Sequence, residues 1–291
     1  MKNVHLSRLG LIGAMTIFGT IGIFVRLIPI PSSVIAMIRG FMGMLFLVAV
    51  MLISKSGISF EKVKKKALGL FVSGGFIGIN WILLFESYRY TTVATATLCY
   101  YMAPILVILL SPLILKERLT AKKLICVMAA LVGMVFVSGI LQSEGFSLSE
   151  IKGVLLGLGA ALFYASVVLI NKKLTEVPTY EKTAIQLGSA AVVILPYTLI
   201  TENFAQTVFS PLTVVLIFVV GILHTGIAYA LYFDAISKLS AQTAAIFSYI
   251  DPIVAIVLSA ILLKEPLTTH SILGAILILG ATFISELPDK K

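Results

Sequence analysis

Asp251 stands immediately before Pro252 in the middle of the apolar run 241–263. A carboxylate at that depth in an apolar segment costs at least about 2.5–3.5 kcal/mol unless it is watered or paired. Three roles fit such a residue: contact with a substrate ammonium, a site for a proton, or a cap on backbone groups that the proline exposes. His224 lies inside the run 212–234. Imidazole carries protons near neutral pH, and a lone intramembrane histidine serves equally as a packed hydrogen-bonder. Glu86 and Asp234 sit near the ends of the runs 67–88 and 212–234. They suit a pair of gates, or ion pairs with neighbours such as Arg89 and Lys238. Arg39, about five residues inside the run 34–53, either snorkels to the head groups or faces a vestibule and attracts anions. The aromatics Phe18, Trp81, Tyr101, Tyr164, Tyr229 and Tyr249, with Asn80 as a polar anchor, make an apolar pocket with few polar groups. Packing is the alternative for the same residues. There is no HExxH, GxSxG or P-loop pattern, and His5, His224 and His270 lack metal-ligand spacing. The expectation is therefore a non-enzyme with no cofactor or metal, driven by gradients or exchange.

The elements that position these residues follow from composition. Of 291 residues 59% are hydrophobic and 12% charged, whereas soluble domains carry about a quarter charged residues. The apolar residues fall in ten blocks, 8–28, 34–53, 67–88, 93–115, 120–140, 152–171, 182–201, 212–234, 241–263 and 269–286. Each approaches the about 20 residues a membrane-spanning helix needs. With the N-terminus in the cytoplasm, 17 Lys and Arg fall on the cytoplasmic side, against Arg26, Arg89, Lys152 and Lys264 outside. That bias predicts an even number of spans with both termini inside. The net charge of +9 thus reports topology and gives no reason to expect nucleic acid. Lys55, Lys62, Lys64, Lys65 and Lys66 are placed to meet anionic lipid. Cys99 and Cys126 both fall in predicted spans and imply no disulfide. The first block reads as a retained helix rather than a signal peptide.

The chain also repeats itself. Thr95-Ala-Thr-Leu-Cys-Tyr-Tyr-Met-Ala-Pro104 aligns with Thr243-Ala-Ala-Ile-Phe-Ser-Tyr-Ile-Asp-Pro252. At the same offset Leu115-Lys-Glu-Arg-Leu-Thr120 aligns with Leu263-Lys-Glu-Pro-Leu-Thr268. Trp81, Phe85 and Glu86 align with Tyr229, Phe233 and Asp234; with a two-residue slip Phe18 aligns with Tyr164. The prediction is an all-α membrane protein of ten transmembrane helices in two inverted five-helix repeats. The first occupies 1–140, a linker 141–151, and the second 152–291. An odd number of spans per half inverts the second half, as in many secondary transporters. Pro104 and Pro252 fall at the centres of matched spans. Proline frees the carbonyl four residues back, here that of Tyr100 and of Ser248, which requires a protein or water partner in a membrane. Hinges lining a path and simple packing kinks both fit. Glu117 and Glu265 precede Thr120 and Thr268, which suit N-caps; the two acids are predicted to fix the turn and complement a helix N-terminus.

Phe85-Glu-Ser-Tyr-Arg-Tyr-Thr-Thr, Pro104 and Leu115-Lys-Glu-Arg-Leu resemble the first half of an EamA-type protein of the drug/metabolite transporter superfamily. Phe233-Asp-Ala, Pro252 and Leu263-Lys-Glu-Pro-Leu resemble the second. The resemblance spans essentially the whole chain. It implies ten helices and two repeats in the cell membrane, often with export of amino acids or other small metabolites. Family members often carry Trp in the first and sixth helices, where Phe18 and Tyr164 stand. The expected function is a secondary transporter of a small metabolite, an amino acid or related amine-bearing solute, working by alternating access. Protons are a possible coupling ion. A channel or lipid scramblase on the same fold is the alternative.

Overall fold

The computed structural model describes residues 2–54, 59–116, 119–137, 147–202, 209–239 and 247–287. These residues form ten helices: α1 Lys2–Leu27, α2 Ser32–Ile53, α3 Phe60–Tyr90, α4 Val93–Leu115, α5 Ala121–Val137, α6 Leu148–Asn171, α7 Thr179–Thr201, α8 Pro211–Lys238, α9 Ile250–Leu262 and α10 Thr269–Glu286. Seven are long and apolar enough to cross a membrane. The other three, α5, α9 and α10, are described over 17, 13 and 18 residues. The predicted ends of α5 and α9, at 138–140 and 241–246, lie outside the described residues. So do Glu117 and much of the predicted linker. α3 begins earlier than its apolar run because Lys62 to Lys66 continue the helix as exposed first turns.

Caps fix where several helices start. The hydroxyls of Thr92, Ser210 and Thr268 accept from the backbone N–H three residues on, at Thr95, Thr213 and Ser271. These bonds satisfy donors that a helix start leaves orphaned. Thr120 does the same for Lys123 at 3.3 Å, so both predicted threonine caps form. Lys116 and Lys264, which align in the repeat, are the positive-φ non-glycine residues among those described, at φ 57° and 53°. The two Leu-Lys-Glu turns therefore share a backbone shape as well as letters.

Helix pairing repeats too. α1 packs on α8 and α9, while α6 packs on α3 and α4; α2 packs on α8, and α7 on α3. α2 meets α7, α4 meets α9, and α5 meets α10. Within the pairs just named, adding five to each helix number of the first half, or subtracting five from the second, returns the same pairs. The buried core runs along these contacts, from Val34, Ile35 and Leu47 of α2 to Leu187 and Ile194 of α7. A second cluster joins α4, α5 and α10 through Ile105, Ala130 and Ile278.

Three stretches are irregular where the repeat places functional candidates. α4 is α-helical over Val93–Tyr100 and Ala103–Leu115, with a turn at Tyr101 and Met102 between. In the other half a turn at Tyr249 precedes α9. Pro104 and Pro252 are the second and third residues after those breaks. They sit in the first turn of a new helix segment, where a missing N–H costs nothing, rather than in a kinked helix middle. α8 contains a π-helical segment, Val219–Ile227, between α-helical flanks. Its repeat mate, 71–79, is regular α-helix.

Candidate functional site

The break in α4 carries Tyr101 to the start of α9. Its hydroxyl lies 3.0 Å from Asp251 Oδ2 and 3.2 Å from the carbonyl oxygen of Ser248. The carbonyl freed by Pro252 thus finds its partner in the other half of the molecule. Asp251 lies two residues into α9, with its carboxylate held by that tyrosine. α1 passes directly behind: a Cβ on Gly19 would sit 2.6 Å from the Asp251 carbonyl oxygen, so only glycine permits this approach.

Tyrosines surround the acid. Tyr100 contacts Tyr101 and Tyr164 with ring centroids 6.3 and 5.4 Å apart. Phe18 meets Tyr229 edge-on at 5.3 Å and Tyr232 at 6.3 Å. Tyr164 remains 41% accessible although Tyr229, Tyr232 and Asp251 all lie within its electrostatic reach.

Arg39 corrects one sequence expectation. It does not snorkel: only 6% of it is accessible. Its guanidinium lies 4.2 Å from the Trp81 ring centroid and 5.6 Å from that of Phe85, a cation–π arrangement. Nε donates to Thr225 Oγ1 at 2.6 Å, and Thr225 in turn donates to the Val220 carbonyl at 3.1 Å across the π-helical turn. Among the described residues no acid forms an ion pair with Arg39. On Phe85 this group meets the lining of a cavity of about 270 Å³ that is also walled by Tyr88, Arg26 and Arg89.

The remaining candidates divide. His224 is fully buried: Nε2 is 2.8 Å from the Thr20 hydroxyl, Nδ1 is 3.3 Å from the Val219 carbonyl, and the ring packs on Phe24. The Thr20 hydroxyl also reaches the Ile17 carbonyl, at 2.7 Å. This is the contact set of a packed hydrogen-bonder. Asn80 Nδ2 donates to the Ala160 carbonyl at 2.6 Å and ties α3 to α6. Tyr249 turns toward Phe283 of α10, at 5.7 Å. Glu86 accepts from Ser32 at 2.7 Å and pairs with Arg89 at 3.6 Å. Asp234 pairs with Lys238 at 2.6 Å. Glu265 complements a helix N-terminus, but that of α4 rather than the following α10: both its oxygens accept from Val93 N–H, at 3.0 and 2.9 Å, and Arg26 lies 4.0 Å away. Residues that sequence reasoning passed over are Thr225, Tyr88, Tyr100, Tyr232 and Glu181. Glu181, buried, accepts from Ser59 N–H at 3.1 Å and caps α3. A polar residue inside an apolar run was the available signal for Thr225.

Comparison with known proteins places this architecture. Residues 6–139 and 151–287 each match the EamA-like transporter family. The chain is 31% identical over 265 residues to the uncharacterized transporter YxxF of Bacillus subtilis (strain 168), across 91% of this chain and 84% of that one. It is 24% identical over 283 residues to the uncharacterized transporter YoaV of the same organism, across 95% of each chain. A solved crystal structure with 19% identity and a TM-score of 0.65, covering 96% of both chains, shares the fold. With two family matches running nearly end to end over ten helices, this multi-pass membrane protein is a transporter rather than an enzyme, and it belongs to the EamA-like transporter family.

Proposed function

We propose that the protein is a secondary carrier. It moves an amino acid or related amine-bearing solute across the cytoplasmic membrane by alternating access of two inverted halves, 1–140 and 152–291, joined by the linker 141–151. Both termini face the cytoplasm, and export is the direction that family resemblance implies. The observation that carries the reading is the meeting of the two helix breaks: Tyr101, at the break in α4, holds Asp251, just past the turn before α9, among clustered tyrosines. Discontinuous helices in matched positions of two repeats are where such carriers bind solute. A carboxylate there attracts an ammonium group or holds a coupling proton, while the aromatics supply the apolar wall. The turns before Pro104 and Pro252 act as hinges, and Glu86 and Asp234 as the polar ends of opposite gates. Lipid surrounds the bundle. The symmetric pairing of helices supports the exchange of shapes between halves that alternating access requires.

The test is counterflow in proteoliposomes loaded with amino acids, amines, nucleosides or sugar phosphates, at two external pH values. Saturable exchange of the amine-bearing class is the expected result. Linear flux without counterflow would replace the carrier with a channel or scramblase.

A further inference from the structure

Resting on the carrier reading above, we propose that Arg39 is the anion subsite of the solute site and binds the carboxylate of a zwitterionic amino acid, whose ammonium points toward Asp251. A charge inside a membrane bundle is costly and usually finds a counter-charge. Arg39 is buried at 6% accessibility, and among the described residues no acid pairs with it. Trp81 and Phe85 stabilise the cation through their faces without neutralising it. Its one hydrogen bond to a described residue uses Nε. The two terminal nitrogens are left as a planar fork, which matches the two oxygens of a carboxylate.

The surroundings support approach by an anion. The cavity of about 270 Å³ borders Phe85, whose ring Arg39 also faces, and has Arg26 and Arg89 on its wall. Those two arginines are spent locally. Arg26 donates to the Tyr88 and Thr91 carbonyls, and Arg89 to the Ile30 carbonyl while pairing with Glu86. Each also has an acid beside it, Glu265 and Glu86, which leaves Arg39 as the cation with donors to offer. One free fork suits a monoanion; a phosphate dianion would call for a second uncommitted cation. Tyr88 and Tyr100 lie within electrostatic reach of both Arg39 and Asp251. The two opposite charges are therefore neighbours of the same tyrosines without pairing with each other.

Trp81 is the chain's sole tryptophan and touches the subsite, so its emission reports occupancy. Full-length protein in detergent is titrated with glycine, alanine, valine, leucine, serine and threonine, with the carboxamide of each, and with inorganic phosphate. At least one acid is expected to shift the emission, its amide binding at least about tenfold more weakly. Arg39→Gln is expected to abolish the acid response, and Arg39→Lys to weaken it at least about tenfold because the fork is lost. The acid and amide comparison stands on the unsubstituted protein, so a variant that misfolds does not spoil it. Acids that leave Trp81 silent, acids and amides of equal affinity, or a response to phosphate alone would overturn the subsite. Counterflow of amines with silent acids would remove Arg39 and leave the carrier standing. Acid binding with no exchange of any compound would keep Arg39 and remove the carrier.

Discussion

The hydroxyl of Tyr101 reaches Asp251 at 3.0 Å and the Ser248 carbonyl at 3.2 Å, joining α4 of one half to α9 of the other. A hydroxyl has one proton. It serves both acceptors together only when Asp251 is itself protonated and donates to the tyrosine oxygen; when Asp251 is ionised, the tyrosine proton turns to the carboxylate. Asp251→Asn retains an acceptor for Tyr101 and removes the charge. Exchange of amine-bearing solutes is expected to fall at least about a hundredfold while the purified variant melts near the parent temperature. Unchanged exchange at both pH values would take Asp251 out of the mechanism.

Tyr101→Phe separates the tie from the charge. It removes a donor between two helices, with an expected stability cost of about 1–3 kcal/mol. The pH dependence of exchange should change with it, because the proton no longer has its tyrosine partner. A variant with parental melting and a parental pH profile would make Tyr101 a bystander.

Gly19→Ala is a small change with a large expected effect. The added carbon would sit 2.6 Å from the Asp251 carbonyl oxygen and 2.7 Å from Val254 Cβ, so α1 must move off α9. Overpacking of this kind costs about 1–3 kcal/mol. Thermal melting in detergent should drop by several degrees and exchange should slow. Gly10→Ala, where an added carbon meets nothing within 4 Å, should leave both measurements in place.

Glu265→Gln tests the cap on α4. The carboxylate accepts from Val93 N–H through both oxygens, and its charge complements the helix N-terminus. A loss of about 0.5–2 kcal/mol is expected, with faster hydrogen exchange confined to the first turn of α4. Exchange that stays parental at that turn would show the contact to be dispensable.

Inversion of the halves predicts opposite exposure of two matched turns. Cysteine placed at Lys116 or Lys264 should react with an impermeant maleimide from the cytoplasmic side in the first case and the external side in the second. Native Cys99 and Cys126 are buried and should contribute little background. Labelling of both positions from one side would refute the inversion.

The helices were legible because hydropathy reports depth directly: Ser32–Ile53 and Val93–Leu115 fall almost where the apolar runs do. The turns were legible because the repeat copies their chemistry, down to the left-handed backbone of Lys116 and Lys264. What hydropathy omits is azimuth. Arg39 and Asn80 both stand inside apolar runs, but one faces the Trp81 ring and the other the backbone of α6, and no single run encodes that. Glu265 was read through its nearest helix, while its partner Val93 lies 172 residues away in sequence. The π-helical segment depends on how α8 settles against α1 and α2, a tertiary matter that its apolar letters do not record.

That segment has a further consequence. The nine-residue π-helical stretch in α8, answered by regular helix at 71–79, makes the two halves mechanically unequal, like a balance with a small weight fixed to one pan. If the halves trade shapes during transport, the two postures differ in free energy and one is the idle posture. The bulge is threaded through Thr225 to Arg39, so a change of posture in α8 would be felt at the proposed anion subsite.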